Sequence, residues 1–270
     1  MTARSYPESL RLAGLLTEPA VRQAIDDMQL PPGSAGIDAG CGIGQHALWL
    51  AQAIGSRGNV TGVDISTENL TAASAAADER GLSGRVKFRR GDLLHLPFED
   101  SSFDWAWCAD TLWPVAGMNP LAGVRELRRV VRPGGRIGVL FWSGQTLLPG
   151  YPLLEARLYL AHAGANPYLK DVPPELHFMR ANSWLRSAGL TEIRVRTFPA
   201  ETHAPLSADK RDALAFWFSM FWGDLAAYVS KEDWAQYRRL CDPGSTECVL
   251  DDPDYHSLIT YTLFPAMVPA

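Results

Sequence analysis

The segment Gly40-Cys41-Gly42-Ile43-Gly44 constrains this chain more than any other, because it falls between a short apolar strand and a helix. Gly36-Ile37-Asp38 reads as the strand entry, and the helix runs to about Ala53, where Gly55 stops it. Glycines at such a junction let the backbone turn sharply and bring a ligand close to the helix N-terminus. A tight turn with close helix–strand packing uses the same residues, so the loop alone leaves both roles open. The dinucleotide fingerprint G-x-G-x-x-G requires glycine at position 45, and Gln45 stands there.

The same alternation continues along the chain. Asn59 to Asp64 reads as a second strand, and Ser66 caps a helix through an Ala-rich stretch to Arg80. Val86 to Arg90 and Phe103 to Ala109 are further strands. Val124, Leu127 and Val131 recur at helical spacing, and Arg132-Pro133-Gly134-Gly135 turns into a fifth strand, Arg136 to Trp142. Strands separated by helices of 10–15 residues imply βαβ units and a parallel sheet. The expected class is α/β, with a Rossmann-like doubly wound sheet.

After Trp142 the rhythm breaks. A helix near Leu153–Ala163, a helix from Asn182 to Ala188 and a strand from Glu192 to Phe198 follow. A helical stretch from Ser207 to Val229, a helix opening at Ser230 and a β-rich run from His256 to Phe264 complete the chain. The first 34 residues read as one or two short helices forming an N-terminal arm. The simplest organisation is one domain: arm 1–34, core 35–142, cap insertion 143–180, core helix and strand 181–200, helical cap insertion 201–252 and final strand 253–270.

Charge and composition narrow the function. The 25 basic and 30 acidic residues give a net charge of -5, which argues against a nucleic-acid binder. The basic stretches Arg85 to Arg90 and Arg125 to Arg132 read as solvated faces. No apolar run reaches the ~20 residues that span a bilayer, and no secretory leader is visible at the N-terminus. Cys41, Cys108, Cys241 and Cys248 form no CxxC pair, so reduced thiols and a cytoplasmic location are expected.

Acids recur where strands end. Asp38 precedes the glycines, Asp64 ends the second strand about 20 residues past them, and Asp92 follows the third. Each alone fits a cap or a turn. Together they mark the C-terminal edge of the sheet, where α/β folds bind ligands.

In Ile37-Asp38-Ala39-Gly40-Cys41-Gly42-Ile43-Gly44, Val63-Asp64-Ile65-Ser66, Gly91-Asp92-Leu93 with Leu96-Pro97-Phe98, Phe103-Asp104, and Leu127-Arg128-Arg129-Val130-Val131-Arg132-Pro133-Gly134-Gly135, the chain resembles the class I S-adenosylmethionine-dependent methyltransferases. It is most similar to their type 11, ubiquinone/menaquinone-methyltransferase-like group. The resemblance covers about residues 35–142, continues loosely through 181–200 and the terminal strand, and does not reach the insertions.

The resemblance implies seven strands, mostly parallel, with a reversed last strand. It implies S-adenosylmethionine as cofactor, with Gly40, Cys41 and Gly42 under its methionyl part and Asp38 and Gly44 in the same loop. It places Asp64 on the ribose hydroxyls, Ile65 on the adenine ring, Asp92 with Leu93 at the adenine, and Ala109 near the sulfonium.

The acceptor side is less legible. Methyl transfer asks mainly for alignment and exclusion of water, and an oxygen acceptor also needs a base. Asp110 in Ala109-Asp110-Thr111-Leu112-Trp113 and His177 in Glu175-Leu176-His177-Phe178 are the candidate catalytic residues, each with a structural role as its competitor. His46, His95, His162, His203 and His256 read as structural or surface residues. Metal dependence is not expected: the resemblance to catechol-type metal-dependent enzymes would imply an acidic or Asn pair after the fifth strand, and Trp142-Ser143-Gly144 stands there.

Of the 27 aromatic residues, 17 follow residue 142. Phe216, Trp217 and Phe218 are consecutive, so one helix stripe cannot bury all three. Most of these aromatics fit packing of the inserted helix onto the core, and some must face a pocket, a second lobe or a partner. With the core motifs, the aromatic-rich insertions make a small, apolar or aromatic acceptor the expectation, and self-association is left open. Two alternatives remain: a protein that binds the cofactor without transfer, and a nicotinamide-dependent dehydrogenase of related fold, which Gln45 disfavours.

Overall fold

The computed structural model describes residues 5–113, 119–166, 170 and 172–270. Parts of the arm, of the core after Trp113 and of the first insertion lie outside these residues.

Seven strands form one sheet: β1 Ala35–Ala39, β2 Asn59–Asp64, β3 Val86–Arg90, β4 Phe103–Ala109, β5 Val131–Thr146, β6 Arg196–His203 and β7 His256–Met267. Their order is β3-β2-β1-β4-β5-β7-β6. The first five strands run parallel, and β7 pairs antiparallel with both β5 and β6. The chain reverses direction across the sheet between β3 and β4, so a ligand crevice opens at the carboxyl ends of β1 and β4.

The helices are α1 Tyr6–Asp27, α2 Gln45–Ala53, α3 Thr67–Glu79, α4 Pro120–Val130, α5 Pro152–Ala165, α6 Ala181–Ser187, α7 Ala208–Trp222 and α8 Lys231–Cys241. Side chains alternate across the pleat. In β4, Trp105, Trp107 and Ala109 join the apolar core under α1, α2 and α7, whereas Ala106 and Cys108 join the core under α4 and α6. Both faces are covered, which is why β4 and β5 read as continuous apolar runs.

Four elements differ from the sequence reading. The arm is a single helix, α1, whose Leu12, Leu16, Ala20, Ala24 and Ile25 are buried on one stripe. Strand β5 does not stop at Trp142: it shifts register between Trp142 and Gly144 and pairs with β7 as far as Thr146. The length of β7 carries it on. Strand β6 spans Arg196–His203 rather than 192–198, and Pro199 is tolerated because β6 is an edge strand with only β7 as neighbour. Helix α7 ends at Trp222, where Gly223 and Asp224 lead into a short 3-10 turn at Leu225–Ala227.

Candidate functional site

The glycine loop is held by β2. The Gly40 and Cys41 amides both donate to the Val63 carbonyl, at 2.7 and 2.9 Å, and the Gly42 amide donates to Asp64 Oδ2 at 2.9 Å. Gly40 and Gly42 have φ of 80° and 51°, a left-handed turn that glycine adopts without strain. A Cβ on Gly40 would overlap the Thr111 side chain, and one on Gly42 would press on Leu10 of α1 at 3.3 Å. The Cys41 thiol is buried, lies against Gly62 of β2, and burial pushes its pKa up. Gly44 faces elsewhere: it packs against Phe88 and Ala73 and begins α2. Gln45 lies on Gly14 of α1, where the absent side chain makes room for it.

Three acids line this edge differently. Asp38 is buried beneath the loop, where it accepts the Ala47 amide of α2 while its Oδ2 has no partner. Burial, and then the neighbouring Asp64 carboxylate, push its pKa up to about 8. Asp64 accepts Gly42 on one oxygen and the Ser66 amide, at 2.8 Å, on the other, with a long contact to Asn69 Nδ2 at 3.5 Å. A carboxylate has about four acceptor sites, so Asp64 keeps capacity for further donors. Beside it Ile65 is 67% exposed, a large aliphatic side chain turned to solvent next to a ligand-capable acid. Asp92 accepts the Leu94 amide at 2.9 Å and remains largely exposed, whereas Leu93 is buried.

At the end of β4, Ala109 leads into Asp110, which has φ of 47°. The carboxylate reaches sideways along the sheet edge: Oδ1 accepts the Trp142 amide at 2.8 Å, and the Tyr261 hydroxyl also bonds to the carboxylate. The same hydroxyl is bonded to Thr17 of α1. Burial pushes the pKa of Asp110 up to about 6, against the opposing effect of these two donors.

A family profile described as "Methyltransferase domain" matches residues 37–139. A demethylmenaquinone methyltransferase of Desulfitobacterium hafniense is 31% identical over 204 residues, covering 70% of this chain and 78% of the relative. A sterol 24-C-methyltransferase of Gibberella zeae is 30% identical over 190 residues, which is 70% of this chain but 45% of the relative. Among solved structures, a putative methyltransferase of Bacillus halodurans superposes with a TM-score of 0.56 at 17% identity, covering 93% of this chain and 99% of the other, which is a likeness of fold.

The chain belongs to the class I S-adenosylmethionine-dependent methyltransferases. Within them it falls in the menaquinone-methyltransferase-like group. The observed sheet, with β7 reversed between β5 and β6, is the methyltransferase architecture that the resemblance implies.

In this methyltransferase the sheet edge brings Gly40, Cys41, Gly42, Asp64, Ile65, Ala109 and Asp110 around the β1 and β4 termini. Gly44 is turned into packing, and Asp38 lies beneath the loop rather than on its surface. Among the described residues no hydrogen bond joins His177 to Asp110. Its Nδ1 accepts the Met179 amide at 3.2 Å, its ring stacks on Phe178 at 4.4 Å, and burial lowers its pKa. Phe178 in turn meets Trp113 and Phe141, on the far face of the sheet from α7.

Sequence reasoning missed Thr111, Leu10, Gly14, Thr17 and Tyr261. Tyr261 stands opposite Trp142 in the β5–β7 register, and no spacing motif reports a pairing of that span. A signal for Thr111 did exist: a glycine flanked by strand residues marks a close approach by something, though not by what.

Proposed function

We propose that this chain moves a methyl group from S-adenosylmethionine to a small, apolar or aromatic molecule by in-line displacement without a metal ion. Its residues fit the cofactor on two counts: Asp64 keeps acceptor capacity beside an exposed Ile65, and Asp38 Oδ2, buried beneath the loop, has no partner. In this reading Gly40, Cys41 and Gly42 carry the methionyl part, Asp64 the ribose, and Ile65, Asp92 and Leu93 the adenine. Asp38 and Gly44 brace the loop from below, and Ala109 flanks the sulfonium. S-adenosylmethionine supplies a methyl group activated by a positively charged sulfur.

The protein's own work is alignment, exclusion of water and removal of one proton. Asp110 accepts the proton that the acceptor atom gives up as it gains the methyl group. Trp142 and Tyr261 hold that carboxylate in place from two directions. His177, stacked on Phe178, is the second candidate base, with its Nδ1 occupied by a backbone amide.

The Asp64 and Asp110 carboxylates at this edge suit a cationic cofactor. Two relatives carry a quinone and a sterol in their names, and an apolar acceptor of that general kind suits the aromatic side chains of α7. No nucleic acid is part of this reading: Arg129 is taken up by Glu126 and Asp100, and Arg132 by Asp104. Among the described residues no helix is long and apolar enough to cross a membrane, and all four cysteines are free and buried. A cytoplasmic protein accords with both.

The observation that carries the reading is the Asp64–Gly42 clasp beside exposed Ile65. Its test combines calorimetry with S-adenosylhomocysteine and incubation with methyl-labelled S-adenosylmethionine and a cell extract. Binding plus a labelled small molecule is the expected result. Binding without label in any extract leaves a cofactor-binding protein that lacks transfer, and absence of binding removes the reading.

A further inference from the structure

The bulge in β5 has a consequence at the acceptor end. Trp142 and Gln145 are three residues apart, and in a regular strand they would point to opposite faces. The register shift between Trp142 and Gly144 inserts one residue and turns both toward α7. Trp142 then lies 4.9 Å from Phe221 by ring centroids, and Gln145 Oε1 accepts the Trp217 indole N–H. Phe221 is 5.5 Å from Trp217 and 5.1 Å from His162, so one ring closes the group.

Around this group the polar atoms are matched one by one. His162 Nδ1 meets the Phe221 carbonyl at 2.8 Å and must donate to it, which leaves Nε2 to accept Asn166 Nδ2 at 3.0 Å. Tyr159 donates to the Gln145 carbonyl at 3.2 Å. Two N–H groups stand out: Trp142 Nε1 and Gln145 Nε2 are buried and have no partner. Buried donors left unmatched cost stability, so each calls for an acceptor. Trp222 Nε1 is also unmatched, but its ring is wholly buried among Tyr159, Phe218 and Tyr237. Trp142 and Gln145 are only half-buried, and Trp142 adjoins the methyl end through the bond from its amide to Asp110.

We propose that Trp142 Nε1 and Gln145 Nε2 form a two-donor subsite that binds a ring carbonyl of the methyl acceptor, with Phe221 turning aside to admit it. The acceptor is then a flat apolar compound carrying a carbonyl oxygen, whose two lone pairs match two neutral N–H donors. An anionic oxygen is disfavoured, because the donors are uncharged and the Asp110 carboxylate lies next to Trp142. The subsite rests on the reading of the chain as a methyltransferase with its acceptor at this end.

The test uses the full chain saturated with S-adenosylhomocysteine, with chromone as the carbonyl probe and naphthalene as its oxygen-free match. Nine tryptophans give nine indole N–H signals in a nitrogen–proton correlation spectrum, and Trp142→Phe assigns one of them by its loss. Chromone is expected to shift that signal downfield and to bind about tenfold tighter than naphthalene, the worth of ~1.4 kcal/mol. Trp142→Phe and Gln145→Glu, the latter keeping an oxygen for Trp217, are each expected to weaken chromone by about tenfold and leave naphthalene unchanged. An unmoved indole signal, equal binding of the two probes by the unmutated chain, or no binding of either overturns the subsite while the methyltransferase reading stands. Failure of S-adenosylhomocysteine itself to bind overturns that reading and the subsite with it.

Discussion

The Asp64 carboxylate accepts the Gly42 amide at 2.9 Å, so the acid at the end of β2 also fixes the loop that precedes α2. One side chain serves two purposes, and its removal acts on both. Asp64→Ala is expected to weaken S-adenosylhomocysteine by about 100-fold, since hydrogen bonds to a charged group are worth ~1.5–3 kcal/mol each. Thermal unfolding is expected to drop by a few degrees as the Gly42 and Ser66 amides lose their acceptor. Calorimetry and a melting curve read the two effects separately; unchanged affinity would remove Asp64 from the cofactor site.

Gly40 and Thr111 define a second relationship. Gly40→Ala forces a Cβ into the Thr111 side chain at a φ of 80°, and a loss of about 2–4 kcal/mol is expected. In a Thr111→Gly background the same substitution should cost only the backbone part, roughly 1–2 kcal/mol. Urea unfolding of the four proteins measures the coupling. Equal cost in both backgrounds would mean that Thr111 is not what excludes a side chain.

Asp110 carries a pH prediction. Its folded pKa of about 6 lies above its ordinary value of 3.8, so the native state holds more protons than the unfolded chain between those values. Its contribution to stability is therefore present at low pH and is lost as pH rises from about 4 to 6, by roughly 3 kcal/mol at most. Asp110→Asn should flatten that slope in denaturant titrations at several pH values. If Asp110 is the base, turnover rises through about pH 6, and the Asn variant falls by ~10²–10⁴ at every pH. A retained pH limb in the variant would move the role to another group, His177 first.

Ile65 gives a prediction free of folding effects. Because 67% of it is exposed, Ile65→Ser should leave the melting temperature within about a degree. If the side chain is covered by the adenine, affinity for S-adenosylhomocysteine falls by about tenfold, the worth of burying an aliphatic side chain. Titration of both proteins at equal salt decides it.

The legible parts of the fold have local causes. Ser66 accepts the Asn69 amide and starts α3 where capping chemistry places it, and β2, β3 and β4 have the boundaries that the strand–helix alternation implies. The strand boundaries that shifted are those set by a partner. Strand β5 continues to Thr146 because β7 is long enough to pair with it, and β6 moves to Arg196 because its pairing with β7 begins there. Local preference is silent about the length of a neighbour.

The same division runs through the site. By itself the sequence determined the glycine turn, the acids at the strand ends and the family they mark, because each depends on residues within one strand–turn–helix unit. Only the tertiary structure decided that α1 covers the loop through Leu10 and Gly14, that Tyr261 reaches Asp110, and that a bulge sets Trp142 and Gln145 side by side. Those relationships join residues far apart in the chain, and they form only when sheet register and helix packing fix every partner at once.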